Sequence, residues 1–242
     1  MSSEQAKKYH SITIGDKNTW DDWHLVPTSR PLVAPPNVNT SYLTVPGGNG
    51  SLDLTEALTG YPTYSNRSGS WEFLVMNGYG EWYTRYSDIM AYLHGKKFQA
   101  ILDDDPYYYY EGRFSVASWT SPKDWSRISI NYNVGPYKIE VHGIDENWLW
   151  DPFNFETGLT QAYKDVNVSG STEITIHNDI MRVRPTITCQ NASSLTVTYL
   201  GKTYSLKDGD NIVREILFTE GNNVLTFNGT GIVTIQMHGG RF

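Results

Sequence analysis

The chain has 242 residues, which suits two domains of roughly 100 to 140 residues each. With 39% hydrophobic, 14% aromatic and 19% charged residues it is neither disordered nor dominated by one charge, and a net charge of -7 argues against wrapping a nucleic acid. The opening MSSEQAKKYHSITIG holds no apolar signal core, and no apolar run approaches the ~18 residues a bilayer span needs. No membrane insertion is therefore expected, and cytoplasmic synthesis follows.

The segment Trp20 to Tyr64 packs aromatics, prolines and turn glycines together without the signature of a catalytic site. Pro27, Pro31, Pro35 and Pro36 hold φ in the extended region and bias the residue before each the same way, so Leu25 to Val38 is expected to run as a stiff extended arm. Gly47, Gly48, Asn49 and Gly50 supply a tight turn, after which the apolar run resumes. Trp20, Trp23, Leu32, Tyr42, Leu54 and Tyr61 are among a dozen apolar residues here that cannot all stay solvated. Either the same chain or a neighbouring copy must cover them.

One helix is expected, from about Tyr79 to His94: Trp82, Tyr86, Ile89, Met90 and Leu93 form a one-sided stripe, and Gly95 stands where a left-handed cap belongs. The β-rich runs Trp71 to Met76 and Phe98 to Leu102 flank it and give it a sheet to lie on. A hairpin follows, with Phe98 to Leu102, a turn at Asp103 to Pro106, and Tyr107 to Val116 returning. The four tyrosines from Tyr107 to Tyr110 alternate faces, and Ile128 to Val134 continues as an alternating strand.

A boundary is expected between Pro136 and Trp150, dividing the chain into 1–140 and 141–242. Beyond it, short alternating runs from Tyr163 to His238, punctuated by Gly170, Gly201, Gly209, Gly221 and Gly229, read as a β-sandwich. Cys189 lies in one such run and reads as a buried strand thiol. Trp148, Trp150 and Phe153 read as packing residues where the two domains meet.

Chemistry is hard to find. Asp103, Asp104 and Asp105 with Glu111 are the sharpest acid cluster, but consecutive acids before Pro106 describe a solvated turn better than a glycosidase pair or a calcium loop. The six histidines form no metal-binding spacing, and neither a G-x-S-x-G turn nor a phosphate-binding loop occurs. No catalytic residue, cofactor or metal is expected. A sugar site in the second domain would have to use Tyr163, Tyr199 or Tyr204, because no tryptophan follows Trp150.

Four stretches in order, DKNTWDDWHLVPTSRP, PGGNGSLDLTEALTGYP, DDDPYYYYEGRF and WLWDPFNFETG, resemble the distal tail proteins of long-tailed phages and prophages of Gram-positive bacteria, and the likeness runs over nearly the whole chain. The resemblance implies a mainly β protein: an N-terminal sandwich- or split-barrel-like domain with a helix and a hairpin, and a C-terminal galectin-like, carbohydrate-module-like β-sandwich. It implies a non-enzymatic, hexameric ring at the tail tip of the virion, made in the bacterial host. Its partners would be the tail tube protein, the tape-measure protein, a tail-associated hub or lysin and receptor-binding proteins, with DNA only passing through the channel; for such a ring the net charge of -7 suggests acidic walls that repel the duplex. Under that reading the arm (Trp20, Trp23, Leu32, Tyr42, Leu54, Tyr61) is one inter-subunit patch, and the hairpin carrying Asp104 and Tyr108 is the other. The rival reading is a module that binds cell-wall carbohydrate; a hydrolase and a stand-alone lectin stand further off.

Overall fold

The computed structural model describes residues 9–76, 82–121, 126–143 and 163–242. Two compact units divide the chain: Met1–Lys138 together with Phe242, and Ile139–Arg241. The first holds β1 (Ile12–Ile14), β2 (Lys17–Asn18), β3 (Leu25–Pro27), β4 (Tyr42–Thr44), β5 (Ser51–Asp53), β6 (Arg67–Val75), α1 (Trp82–Leu93), β7 (Lys96–Leu102), β8 (Tyr108–Thr120) and β9 (Arg127–Val134). β10 (Lys138–Glu140) spans the division, and β11 (Val166–Asn178), β12 (Thr186–Tyr199), β13 (Lys202–Ser205), β14 (Gly209–Asn211), β15 (Gly221–Gln236) and β16 (Gly240–Arg241) follow in the second. The described residues are mainly β, with α1 their single helix.

In the first unit the main sheet runs β2-β1-β7-β8-β9-β6-β3. β9 shows why: Ile128, Ile130, Tyr132 and Val134 are all buried, the period of two that a sheet with one covered face demands. Ile130 pairs with Val116 of β8 and with Trp71 of β6, so three strands put their apolar residues on one side. α1 packs against β8 from that side through Ile89 and Leu93, and Gly95 ends it at a φ of 74°. The observed helix begins at Trp82; its expected first residues lie outside the described ones.

The opposite face of the sheet is polar. Ser68, Ser70 and Glu72 on β6, Glu111, Arg113 and Ser115 on β8, and Ser129, Asn131 and Asn133 on β9 share it by register. Lys97 pairs with Glu111 at 2.6 Å and Arg127 lies 3.8 Å from Glu72.

Trp23 corrects an expectation. Assigned from sequence to an inter-subunit patch, it is 5% exposed, belongs to the core of the first unit and meets Tyr92 edge to face at 5.6 Å between ring centres. A strand begins two residues later at Leu25, which is wholly buried, so the indole is drawn inward by the chain's entry into the sheet.

The second unit differs from the short strands read in the sequence. The runs on either side of Gly170, read in the sequence as separate, form one strand, β11, whose Gly170 (φ 84°) sits opposite Gly229 (φ 119°) of β15. β12 likewise runs on through two register shifts between Gln190 and Thr196, with Asn191 and Ser194 in left-handed backbone. Glycine and bulges thus bend these strands instead of ending them. Ile212 to Phe218, within the stretch read as successive short strands, is irregular and keeps one bridge, Phe218 to Val183. One core results, from both halves of the bent strands: Val168, Ile176, Cys189, Leu195, Val197, Phe227 and Ile235. β10 and β16 pair, and Glu140 accepts from the Gly239 amide at 3.2 Å.

Two measurements check these assignments. Trp23→Ala should cost about 3–5 kcal/mol in equilibrium denaturation, the range for emptying a buried aromatic site; a loss below about 1 kcal/mol would place Trp23 at a surface. Burial raises the Glu140 carboxyl above the ordinary glutamate range, so the native state holds its proton more tightly than the unfolded chain does. Its contribution is present at low pH and is lost as pH rises through the folded value. Glu140→Gln should therefore stabilise the protein at pH ~7 and lose that advantage towards pH ~4, read as denaturation midpoints across the series.

Candidate functional site

The segment from Trp20 to Tyr64 is built in three parts. The first is a compact turn. Asn18 Oδ1 accepts from the Trp20 amide at 2.8 Å, Asp22 Oδ2 accepts from the Asn18 amide at 2.8 Å, and the Trp20 carbonyl accepts from the His24 amide at 2.9 Å. Trp20 stacks on Tyr9 at 4.1 Å and is half-buried.

The second part is the arm, which leaves β3 and crosses the rim of the sheet. Core aromatics hold it by their polar tips: Trp71 Nε1 donates to the Leu32 carbonyl at 2.9 Å, and Tyr132 Oη accepts from the Ala34 amide at 3.1 Å. Pro31 is buried under it, while Leu32 points away and is 72% exposed. A groove of about 390 Å³ runs alongside, lined by Thr28, Arg30, Leu32, Ser70, Trp71 and Glu72. The extended course expected for Leu25 to Val38 is realised as three residues of strand followed by bonded but irregular chain.

The third part is a lobe closed by a neck. The Asn39 amide donates to the Thr63 carbonyl at 2.8 Å, the Ser65 amide to Asn37 at 2.9 Å, and Val38 bridges Tyr64. Within it β4 and β5 pair from Tyr42↔Asp53 to Thr44↔Ser51, and Gly47 and Gly50 take φ of 77° and 80° in the turn the sequence places there. Leu54 donates its amide to Ser41, and Asp53 accepts from Thr55. The backbone is ordered, yet the lobe has no core. Tyr42 is 62% exposed, Leu58 fully exposed, and Leu43, Val45, Leu52 and Leu54 are exposed as well; only Thr55 between Asn39 and Gly60 is even half-buried. A lone two-stranded hairpin is marginal in water and an apolar patch of this kind marks a contact surface. Tyr61 sits at the neck, half-buried.

The acid turn is occupied by its own chain. Asp104 meets His10 Nδ1 at 2.9 Å and Arg30 at 3.4 Å, Asp105 meets Lys138 at 2.6 Å, and Ser11 donates to Asp103. Burial raises the Asp103 carboxyl, while the Ser11 bond opposes that shift. Lys138 Nζ lies 4.5 Å from the Tyr108 ring centre, and Tyr110 is buried. These contacts hold the β7–β8 hairpin to the N-terminal strands and leave Tyr107 as its exposed aromatic. Among the described residues no group of His, Cys, Asp and Glu is placed to hold a metal, and no helix is long and apolar enough to cross a membrane.

A second apolar surface in the same unit lies at the helix. Trp119 stacks on Tyr86 at 4.3 Å and meets Trp82 at 4.0 Å; Tyr83 and Met76 extend the surface and are exposed. The sequence stripe points to Trp82 and Tyr86, but not to Trp119. Counting by twos from Phe114 and Val116 puts Trp119 on the polar face; the bulge between Val116 and Ser118 turns it over, opposite Ile128.

In the second unit two of the three tyrosines considered for sugar are core residues: Tyr163 donates to the Thr175 carbonyl and Tyr199 to the Leu217 carbonyl, each at 3.0 Å. Tyr204 is half-buried. Cys189 is buried, which pushes its thiol up to about 11 and leaves it inert. Trp148, Trp150 and Phe153 lie outside the described residues.

No protein-family model and no curated protein sequence matches the chain. Among solved structures it is similar to the SPP1 Dit protein (gp 19.1), described as a paradigm of the hub adsorption apparatus in phages infecting Gram-positive bacteria. The similarity covers 96% of this chain and 99% of that one, with a TM-score of 0.62 and 11% sequence identity. The chain has the fold of SPP1 Dit. At 11% identity the Dit fold is kept by pattern and packing, with most side chains replaced.

Because the ion pairs of Asp104 are partly solvated, Asp104→Asn should lower stability by no more than about 1 kcal/mol, as read from denaturation midpoints. A loss of several kcal/mol would make the acid turn a structural keystone.

Proposed function

We propose that the chain is a structural, non-enzymatic distal tail protein of a long-tailed phage or prophage. Six copies of the first unit join side by side in a ring that continues the tail tube, and the second unit serves as an outer, galectin-like module. The ring docks to the tail tube protein on one side and to the hub or lysin and receptor-binding proteins on the other, leaving a bore for DNA and the tape-measure protein. The observation that carries this reading is the fold shared with a phage hub protein over 96% of the chain. The coreless lobe supports it independently, because a paired apolar hairpin with no cover among the described residues needs a neighbour. A ring is a heterologous contact closed by rotation, so each copy must offer two different patches.

The polar face of the main sheet is the natural lining of such a bore. Its serines and asparagines present hydroxyl and amide groups, and its acids Glu72 and Glu111 face Arg127 and Lys97. Under this reading the wall carries paired charges where net charge alone suggests an acidic one, and it offers a duplex no stripe of unopposed cations to grip.

Light-scattering mass measured across concentration tests the assembly. A discrete species of six chain masses, visible as an annulus by negative-stain microscopy, is expected. A single-chain mass at every concentration would refute the ring.

A further inference from the structure

Ring closure requires two unlike patches per copy, and the acid turn, the sequence-based choice for the second, is taken up by His10, Arg30 and Lys138 of the same chain. The first unit offers another pair. One patch is the aliphatic lobe with Leu43, Val45, Leu52, Leu54 and Leu58; the other is the aromatic ledge of Met76, Trp82, Tyr83, Tyr86 and Trp119. Both lie in one protomer, and neither covers the other, since Leu58 is fully exposed and Tyr83 is 66% exposed.

We infer that the lobe of each copy seats on the aromatic ledge of the next copy, and that this contact is the seam of the ring. The inference rests on the ring reading above and adds which surface meets which.

Shape and charge both fit. The lobe offers branched aliphatic side chains on a narrow hairpin, and the ledge offers flat rings around a shallow recess between α1 and β8, floored by Ile89 and Ile128. From Pro31 to Asn66 the chain contains no Lys, Arg or His, and its charges there are Asp53 and Glu56. The edge of the ledge carries Arg85, which lines the recess and donates to the Met76 carbonyl at 2.9 Å. An anionic apolar hairpin thus meets an aromatic surface with Arg85 at its edge, and the shared negative charge of the lobes disfavours lobe-to-lobe pairing. The lobe gains the packing layer that a two-stranded sheet needs.

Cysteine cross-linking tests the pairing, since Cys189, the single native thiol, is buried. Leu43→Cys and Tyr83→Cys variants are made separately, mixed under assembling conditions and treated with a short bismaleimide. A covalent dimer in the mixture and none in either variant alone is expected; both cysteines in one chain should give a ladder ending at the closed ring. Dimers from Leu43→Cys alone, or a ring of the right mass that gives no cross-link in the mixture, would overturn the seam while leaving the ring intact. A single-chain mass with no cross-link would overturn both.

Leu58→Asp and Tyr83→Asp provide a second arm. Each should raise the concentration needed for assembly at least tenfold without shifting the melting temperature, because both side chains are exposed in the protomer. Unchanged assembly in both would count against the seam.

Discussion

Trp71 and Tyr132 tie the interior of the first unit to its most exposed part. Their rings lie 4.6 Å apart among the core residues, yet each carries one polar atom that must find a partner when buried. Both partners are backbone groups of the arm, the Leu32 carbonyl and the Ala34 amide. Satisfying the core therefore fixes the course of the chain over it, and the neck at Val38 and Tyr64 follows a few residues later. The lobe is held in place by aromatic hydrogen bonding at its root, while the side chains at its tip stay exposed.

The same economy governs Arg67. It is 3% exposed, donates Nε to the Pro136 carbonyl at 2.8 Å and lies over the rings of Tyr110 and Phe242 at 5.6 and 5.9 Å. Burial lowers its pKa, and the ring faces and a carbonyl compensate the charge in place of a carboxylate. Phe242 in turn packs on Tyr64 and Tyr137, so an aromatic group gathers at the base of the lobe.

Much of this was legible in the sequence wherever periodicity and burial agree. β9 and α1 emerge from their apolar spacing, and the turn at Gly47 to Gly50 from its glycines, because one physical rule acts on each. Three things were not. Trp23 and Trp20 look alike in sequence, but only the core decides that one is enclosed and the other half-buried. Trp119 changes face through a bulge that leaves no composition signal. Gly170 and Gly229 read as strand ends, whereas paired across two strands they are bends, which is a fact about register that no single segment contains. The candidate surface was half visible: the apolar arm stood out by composition, while the ledge needs α1 and β8 brought together.

The neck has a consequence for how such a chain tolerates change. Its bonds join residues 37–39 to 63–65 through backbone atoms, so whatever lies between them is a graft on a closed stem. Insertions, deletions or wholesale replacement within that graft leave the stem and the sheet beneath it geometrically untouched. Chains of this fold with different neighbours can thus diverge by exchanging this cassette while the scaffold that carries it stays constant.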